Sequence, residues 1–142
     1  MGQLIRTGIA IDADLLTRFD RFIAKQGYAN RSEALRDLIR DRLVGAAVED
    51  PGAHVVGTIT LIYDHHSRLL AEKLMNLQHD HHNVIIATTH AHLDHEMCLE
   101  VLAVKGQAKQ VQKLADLLIG TKGVQHGRLV MTSPAVVLTK SA

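Results

Sequence analysis

Hydrophobic positions along this chain change period several times, and each change marks an element. "LIRTGIAI", Leu4 to Ile11, alternates, with Ile5, Thr7, Ile9 and Ile11 on one face and Arg6, Gly8 and Ala10 on the other, which predicts a short strand. At Asp12, an N-cap candidate, the spacing becomes helical through Leu15, Leu16, Phe19, Phe22 and Ile23, and Gly27 closes that helix. A second helix opens at Asn30, with Glu33 three residues on as a capping box, and carries Ala34, Leu35, Leu38, Ile39 and Leu43 inward. "GAAVEDPGA", Gly45 to Ala53, then breaks every period and reads as a linker. Beyond it "VVGTITLIYD" is strand-like, and Leu70, Leu74 and Leu77 give a helix through about Gln78. "NVIIATTHAHL" and "MCLEVLAVKG" are two strands joined by a tight turn around Asp94 to Glu96. Val111, Leu114 and Leu118 mark a further helix, and "HGRLVMTSPAVVL" contains a closing strand.

The second half thus runs strand, helix, strand, strand, helix, strand, the ferredoxin-like order, with four antiparallel strands and both helices on one face. Its uncovered sheet face holds apolar residues and is expected to meet another subunit. The fold class is α+β, with residues 1–46 as a first domain, 47–53 as the linker and 54–142 as a second domain. In the first domain a lone strand can neither bury itself nor pair its backbone, so two copies are needed, their strands paired antiparallel as a ribbon over four helices. The ribbon would present Arg6, Gly8 and Ala10 twice, at a width that fits the DNA major groove. This pattern, with "GYANRSEALRDLI" from Gly27 to Ile39, resembles the ribbon-helix-helix family of DNA-binding dimers. The resemblance implies a phosphate anchor at the start of the second helix, where Asn30, Arg31 and Ser32 lie.

Charge adds a restriction. Sixteen Lys and Arg against fifteen Asp and Glu leave a net +1, so any DNA contact has to come from a local surface. The single cysteine excludes an intramolecular disulfide, the N-terminus lacks a secretory pattern, and no apolar run reaches membrane-span length. The expected setting is cytoplasmic and reducing, with no membrane partner and no organic cofactor.

Histidine is the compositional anomaly, since eight of ten (His65, His66, His79, His81, His82, His90, His92 and His95) fall between residues 65 and 95. Strand residues two apart share a face, so His90 and His92 project together at about 7 Å, and the hairpin brings Cys98 beside them. Two imidazoles and a thiolate suit nickel, copper or zinc rather than calcium or magnesium. A fourth ligand has to come from elsewhere, and the run "HDHH", His79 to His82, on its own fits a solvated helix end equally well. "HAHLDH", His90 to His95, also resembles the signature of the binuclear zinc hydrolases of the metallo-β-lactamase superfamily, but that fold needs far more chain. Without a convincing nucleophile or general base, no enzyme is expected.

A ribbon-helix-helix half followed by a ferredoxin-like half with "QHDHHNVIIATTHAHLDHEMCLE", Gln78 to Glu100, resembles the nickel-responsive transcriptional regulator family, NikR, over about residues 3 to 132. The resemblance implies one square-planar nickel per subunit in a homotetramer that is a dimer of dimers. Its ligands would be His90, His92 and Cys98, with His79 from a neighbouring chain. Tyr63, His95 and Glu100 would support the site through hydrogen bonds, and His65 matches a secondary metal position. Glu33 and Asp37 match carboxylates that hold a second cation between the domains once DNA is bound. The implied partner is palindromic double-stranded operator DNA, with repression of nickel-uptake genes as the expected outcome. Gly8 and Ala10 depart from the polar base-reading residues of relatives, and Ser67 replaces a basic residue beside Arg68. Readout is therefore expected from Arg6 and DNA shape. The alternative is an amino-acid-responsive regulator, because the second half also resembles ACT domains.

Overall fold

A computed structural model of the chain describes residues 2–134. The last eight residues of the predicted second domain, 135–142, lie outside the described residues, as does Met1. The chain divides between Leu43 and Val44 into two compact units.

Helix α1 spans Ala13–Lys25 in the first unit, and α2 spans Arg31–Val48, beginning in the first unit with its last five residues counted in the second. Asp12 caps α1 as expected: its Oδ2 accepts the N–H groups of Asp14 at 3.1 Å and Leu15 at 3.2 Å. Gly27 at φ 80° carries the chain out of the helix in a conformation that costs any side-chain-bearing residue more. Asn30 Oδ1 accepts the Glu33 N–H at 2.9 Å, so the Asn30 half of the capping box is made. Helix α2 continues through Gly45, Ala46 and Ala47, which the sequence reads as linker, because alanine is the strongest helix former and only the turn at Pro51 and Gly52 compels a stop.

Residues 2–11 adopt no regular structure, in contrast to the predicted strand. The reason is pairing: a strand is defined by hydrogen bonds to a neighbour, and one chain supplies none. The apolar residues that the pattern turns inward are accordingly open, Ile5 at 81% exposed and Ile39 at 58%, while Ala34 is buried. Leu38 and Leu43 are exposed as well.

In the second unit, β1 (His54–Asp64), α3 (Arg68–Asp80), β2 (Ile85–His92), β3 (Met97–Gln107), α4 (Ala108–Ile119) and β4 (Val124–Thr132) follow in the predicted order. The strands form one antiparallel sheet in the order β2-β3-β1-β4. Odd positions of β1 (Val55, Ile59, Leu61, Tyr63) and even positions of β3 (Cys98, Glu100, Leu102, Val104) are buried, with Leu70 and Leu74 of α3 and Val111, Leu114 and Leu118 of α4 in the same core. Fully burying each such aliphatic side chain contributes about 1.5–3 kcal/mol. Gly57 of β1 is needed for sheet closure, because a Cβ there would lie 2.3 Å from the Val130 carbonyl oxygen of β4. The opposite face keeps Val130 and Ile86 more than half exposed.

Candidate metal centre

Register decides which side chains meet. In the β2–β3 pair, His92 lies opposite Cys98 and His90 opposite Glu100, and in the β1–β3 pair Tyr63 lies opposite Cys98. Directly opposed residues share a face, so all five project on the side that carries the core. The Asp94 carboxylate fixes the hairpin between β2 and β3: its Oδ1 accepts the N–H groups of Glu96 and Met97, each at 2.8 Å. Those bonds hold the Asp94 carboxyl below its usual range.

Glu100 is the hub. It is 5% exposed, and its Oε1 accepts from Gln78 Nε2 of α3 at 2.6 Å, while Oε2 accepts from the Tyr63 hydroxyl and lies 3.9 Å from His90 Nδ1. Burial first, then the bond to Glu100, pushes the Tyr63 hydroxyl far above its ordinary value, so Tyr63 stays a donor. Burial likewise pushes the Cys98 thiol up, and its Sγ donates to the Tyr63 carbonyl oxygen at 3.4 Å.

The imidazoles cluster without converging. His90 and His92 have ring centroids 5.4 Å apart, and His92 stacks flat on His65 at 4.4 Å and 4°. His65 N–H donates to the Glu96 carbonyl at 2.9 Å, tying β1 to the hairpin, and its buried Nε2 has no hydrogen-bond partner among the described residues. His79 is exposed on α3, 6.2 Å from His82 ring to ring, beside a surface notch that Met75, Gln78 and Thr88 also line. Among the described residues of one chain, no three His, Cys, Asp or Glu side chains close on a point that could hold an ion. The expected trio is thus adjacent by register, but its side chains are turned to other partners, His92 to His65 and Cys98 to the backbone. As a donor set it fits a late transition ion: two imidazoles, a thiol and, behind His90, a buried carboxylate that can orient the ring.

His95 stands exposed on the hairpin turn, and Arg68 is exposed as the first residue of α3. In the first unit Arg6, Gly8, Ala10 and Ser32 are exposed, while Asn30 caps α2. Arg31 is engaged by Asp20. Glu33 is exposed, whereas Asp37 accepts from the Tyr28 hydroxyl at 2.9 Å and pairs with Arg40 at 2.8 Å. Sequence reasoning missed Gln78 and Asp20, whose roles depend on contacts across 22 and 11 residues of chain. Only the position of Gln78 immediately before His79 hinted at its part.

Residues 56–132 match the family model described as the NikR C-terminal nickel-binding domain, and residues 5–44 match the ribbon-helix-helix protein family of copG type. The chain is 59% identical over 133 residues to a candidate nickel-responsive regulator of Solibacter usitatus, covering 94% of this chain and 96% of the relative. A relative of the same designation from Geobacter metallireducens is 56% identical over 133 residues, with the same shares covered. One from Nitratidesulfovibrio vulgaris is 50% identical over 139 residues, covering 98% of this chain and all of the relative. "HAHLDH" therefore belongs to a nickel-binding domain and not to a hydrolase, and the match favours the expected nickel regulator over the amino-acid-responsive alternative. With a ribbon-helix-helix unit joined to a nickel-binding unit along nearly its whole length, the chain belongs to the nickel-responsive transcriptional regulator family, NikR.

Proposed function

We propose that His90, His92 and Cys98 of one chain and His79 of a second hold one nickel per subunit in a homotetramer, and that this bond sets how the chain engages operator DNA. The observation that carries the reading is the wiring of Glu100. Its carboxylate sits behind His90 and is bonded to Gln78, the residue before His79, so the strand donors and the end of α3 share one buried support. His79 is exposed, as a ligand offered to another chain has to be. Nickel supplies a bond between chains; the protein supplies orientation. Glu100 keeps the His90 ring in place, Tyr63 and Gln78 keep Glu100 in place, and the Asp94 turn holds Cys98 level with His92. His65 borders the donors through its stack on His92, and His95, exposed on the hairpin turn, is assigned a supporting role.

DNA binding is assigned to residues 1–46, with 47–53 connecting to a metal-binding and tetramer-forming domain, 54–142. Arg6, Gly8 and Ala10 face the groove of a palindromic operator, while Asn30, Arg31, Ser32 and Arg68 meet phosphates. Nickel-loaded protein represses uptake genes in the cytoplasm. A second cation is placed at Glu33 and Asp37 once DNA is bound, where it would compete with Arg40 for the Asp37 carboxylate.

The test is a nickel titration of the reduced protein followed by absorption, run beside DNA binding on the promoter nearest the gene. A thiolate-to-nickel band saturating at one equivalent per chain is expected, with DNA affinity rising in step. If His79→Ala keeps both the band and the affinity, the shared ligand is wrong.

A further inference from the structure

Arg31, the first residue of α2, is gripped edge-on by Asp20 of α1. Its Nε donates to Oδ1 at 2.8 Å and its Nη2 donates to Oδ2 at 2.8 Å. A cation at a helix N-terminus faces the positive end of the dipole, so Arg31 needs an anion, and Asp20 supplies one. The two side chains are 54% and 42% exposed, where screening leaves an ion pair little weight in holding a fold. Full two-point geometry at so exposed a place has a different effect: it freezes the rotamer of a long, flexible side chain. The grip uses two of the five guanidinium N–H groups and leaves three, one on Nη2 and both on Nη1, on a residue next in sequence to the Asn30 cap and the amides that open α2.

Asp20 is also a negative charge on a unit that has to approach a polyanion, and by charge alone it should weaken DNA binding. We infer that Asp20 is a positioning residue that strengthens it instead, by pre-orienting Arg31 so that Nη1 and the first amides of α2 meet the same phosphate. The inference rests on the phosphate role of Asn30, Arg31 and Ser32 proposed above. Pre-orientation removes the entropy of fixing a free arginine on binding.

The experiment uses nickel-loaded, full-length protein and a fluorescent mixed-sequence DNA duplex at low salt, because phosphate contacts act on any sequence. Asp20→Ala, Arg31→Ala, the double variant and Arg31→Lys are compared by anisotropy, with thermal unfolding run in parallel. Arg31→Ala is expected to weaken binding about tenfold, and Asp20→Ala about three- to fivefold despite the charge removed. The double variant should be no weaker than Arg31→Ala alone. Arg31→Lys, which keeps the charge and loses the fork, should fall with Asp20→Ala, and unfolding temperatures should stay together. Tighter or unchanged binding by Asp20→Ala, with Arg31→Ala still impaired, overturns the positioning role. Unchanged binding by Arg31→Ala overturns the phosphate reading beneath it and the inference with it.

Discussion

Glu100 shows what a single buried carboxylate does in the second unit. Three side chains from three elements, Tyr63, Gln78 and His90, surround it, so each change near it has a separable effect. Tyr63→Phe takes one donor from a buried acceptor and is expected to cost about 1–3 kcal/mol, read as a lower urea midpoint at unchanged slope. An unchanged midpoint would mean that the hydroxyl contributes nothing there. Glu100→Ala should lower nickel affinity by about 10–100-fold, because the His90 ring loses its support; competition with a chelator measures it. In the first unit the bond to Asp37 raises the Tyr28 hydroxyl above its ordinary value. A raised folded value means that the contribution to stability is complete below the ordinary tyrosine range, near 10, and is lost as pH climbs through the folded value. Denaturant unfolding at neutral and strongly alkaline pH should therefore show a smaller decline for Tyr28→Phe than for the parent.

Among the elements, the segment from Leu4 to Ile11 differs most between its sequence pattern and its state in one chain. Alternation is a statement about faces, whereas a strand is a statement about hydrogen bonds, and only a second chain can make those bonds. Backbone amides of residues 4–11 should be protected from hydrogen exchange in the assembled protein. Ile9→Asp, which puts a charge where the ribbon has to bury an isoleucine, should abolish that protection and DNA binding together. Protection surviving in Ile9→Asp would argue against the ribbon. In the sheet, Gly57→Ala forces β4 away from β1 at Val130 and is expected to destabilise by about 1–3 kcal/mol, measured by chemical denaturation.

Assembly is the property of the whole molecule on which the proposed function turns. Exposed apolar side chains lie on both units, among them Ile5 and Ile39 in the first and Met75 and Val130 in the second. Surfaces of this kind favour association. Ligand sharing can be tested by mixing two defective chains. His79→Ala chains keep the strand donors, and His90→Ala chains keep the helix donor, so neither alone completes a site. Co-refolded in equal amounts, random assembly should restore about a quarter of the nickel sites. No restored binding would place all four ligands in one chain.

Much of this protein was legible in its residue order. The βαββαβ succession, the Asp12 and Asn30 caps, and the same-face placement of His90, His92 and Cys98 all follow from periodicity, because period and capping are local properties. Tertiary structure alone decided that Glu100 binds Gln78 and Tyr63, that His92 rests on His65, and that Asp20 holds Arg31. Those contacts join residues far apart in the chain, and no spacing rule reaches across a fold. The extension of α2 past Gly45 to Val48 is a local signal as well, masked because Gly45 and the Pro51-Gly52 pair draw the boundary while the alanines between them favour the helix. Local chemistry names the donors; how the chain folds back on itself determines which of them can act together.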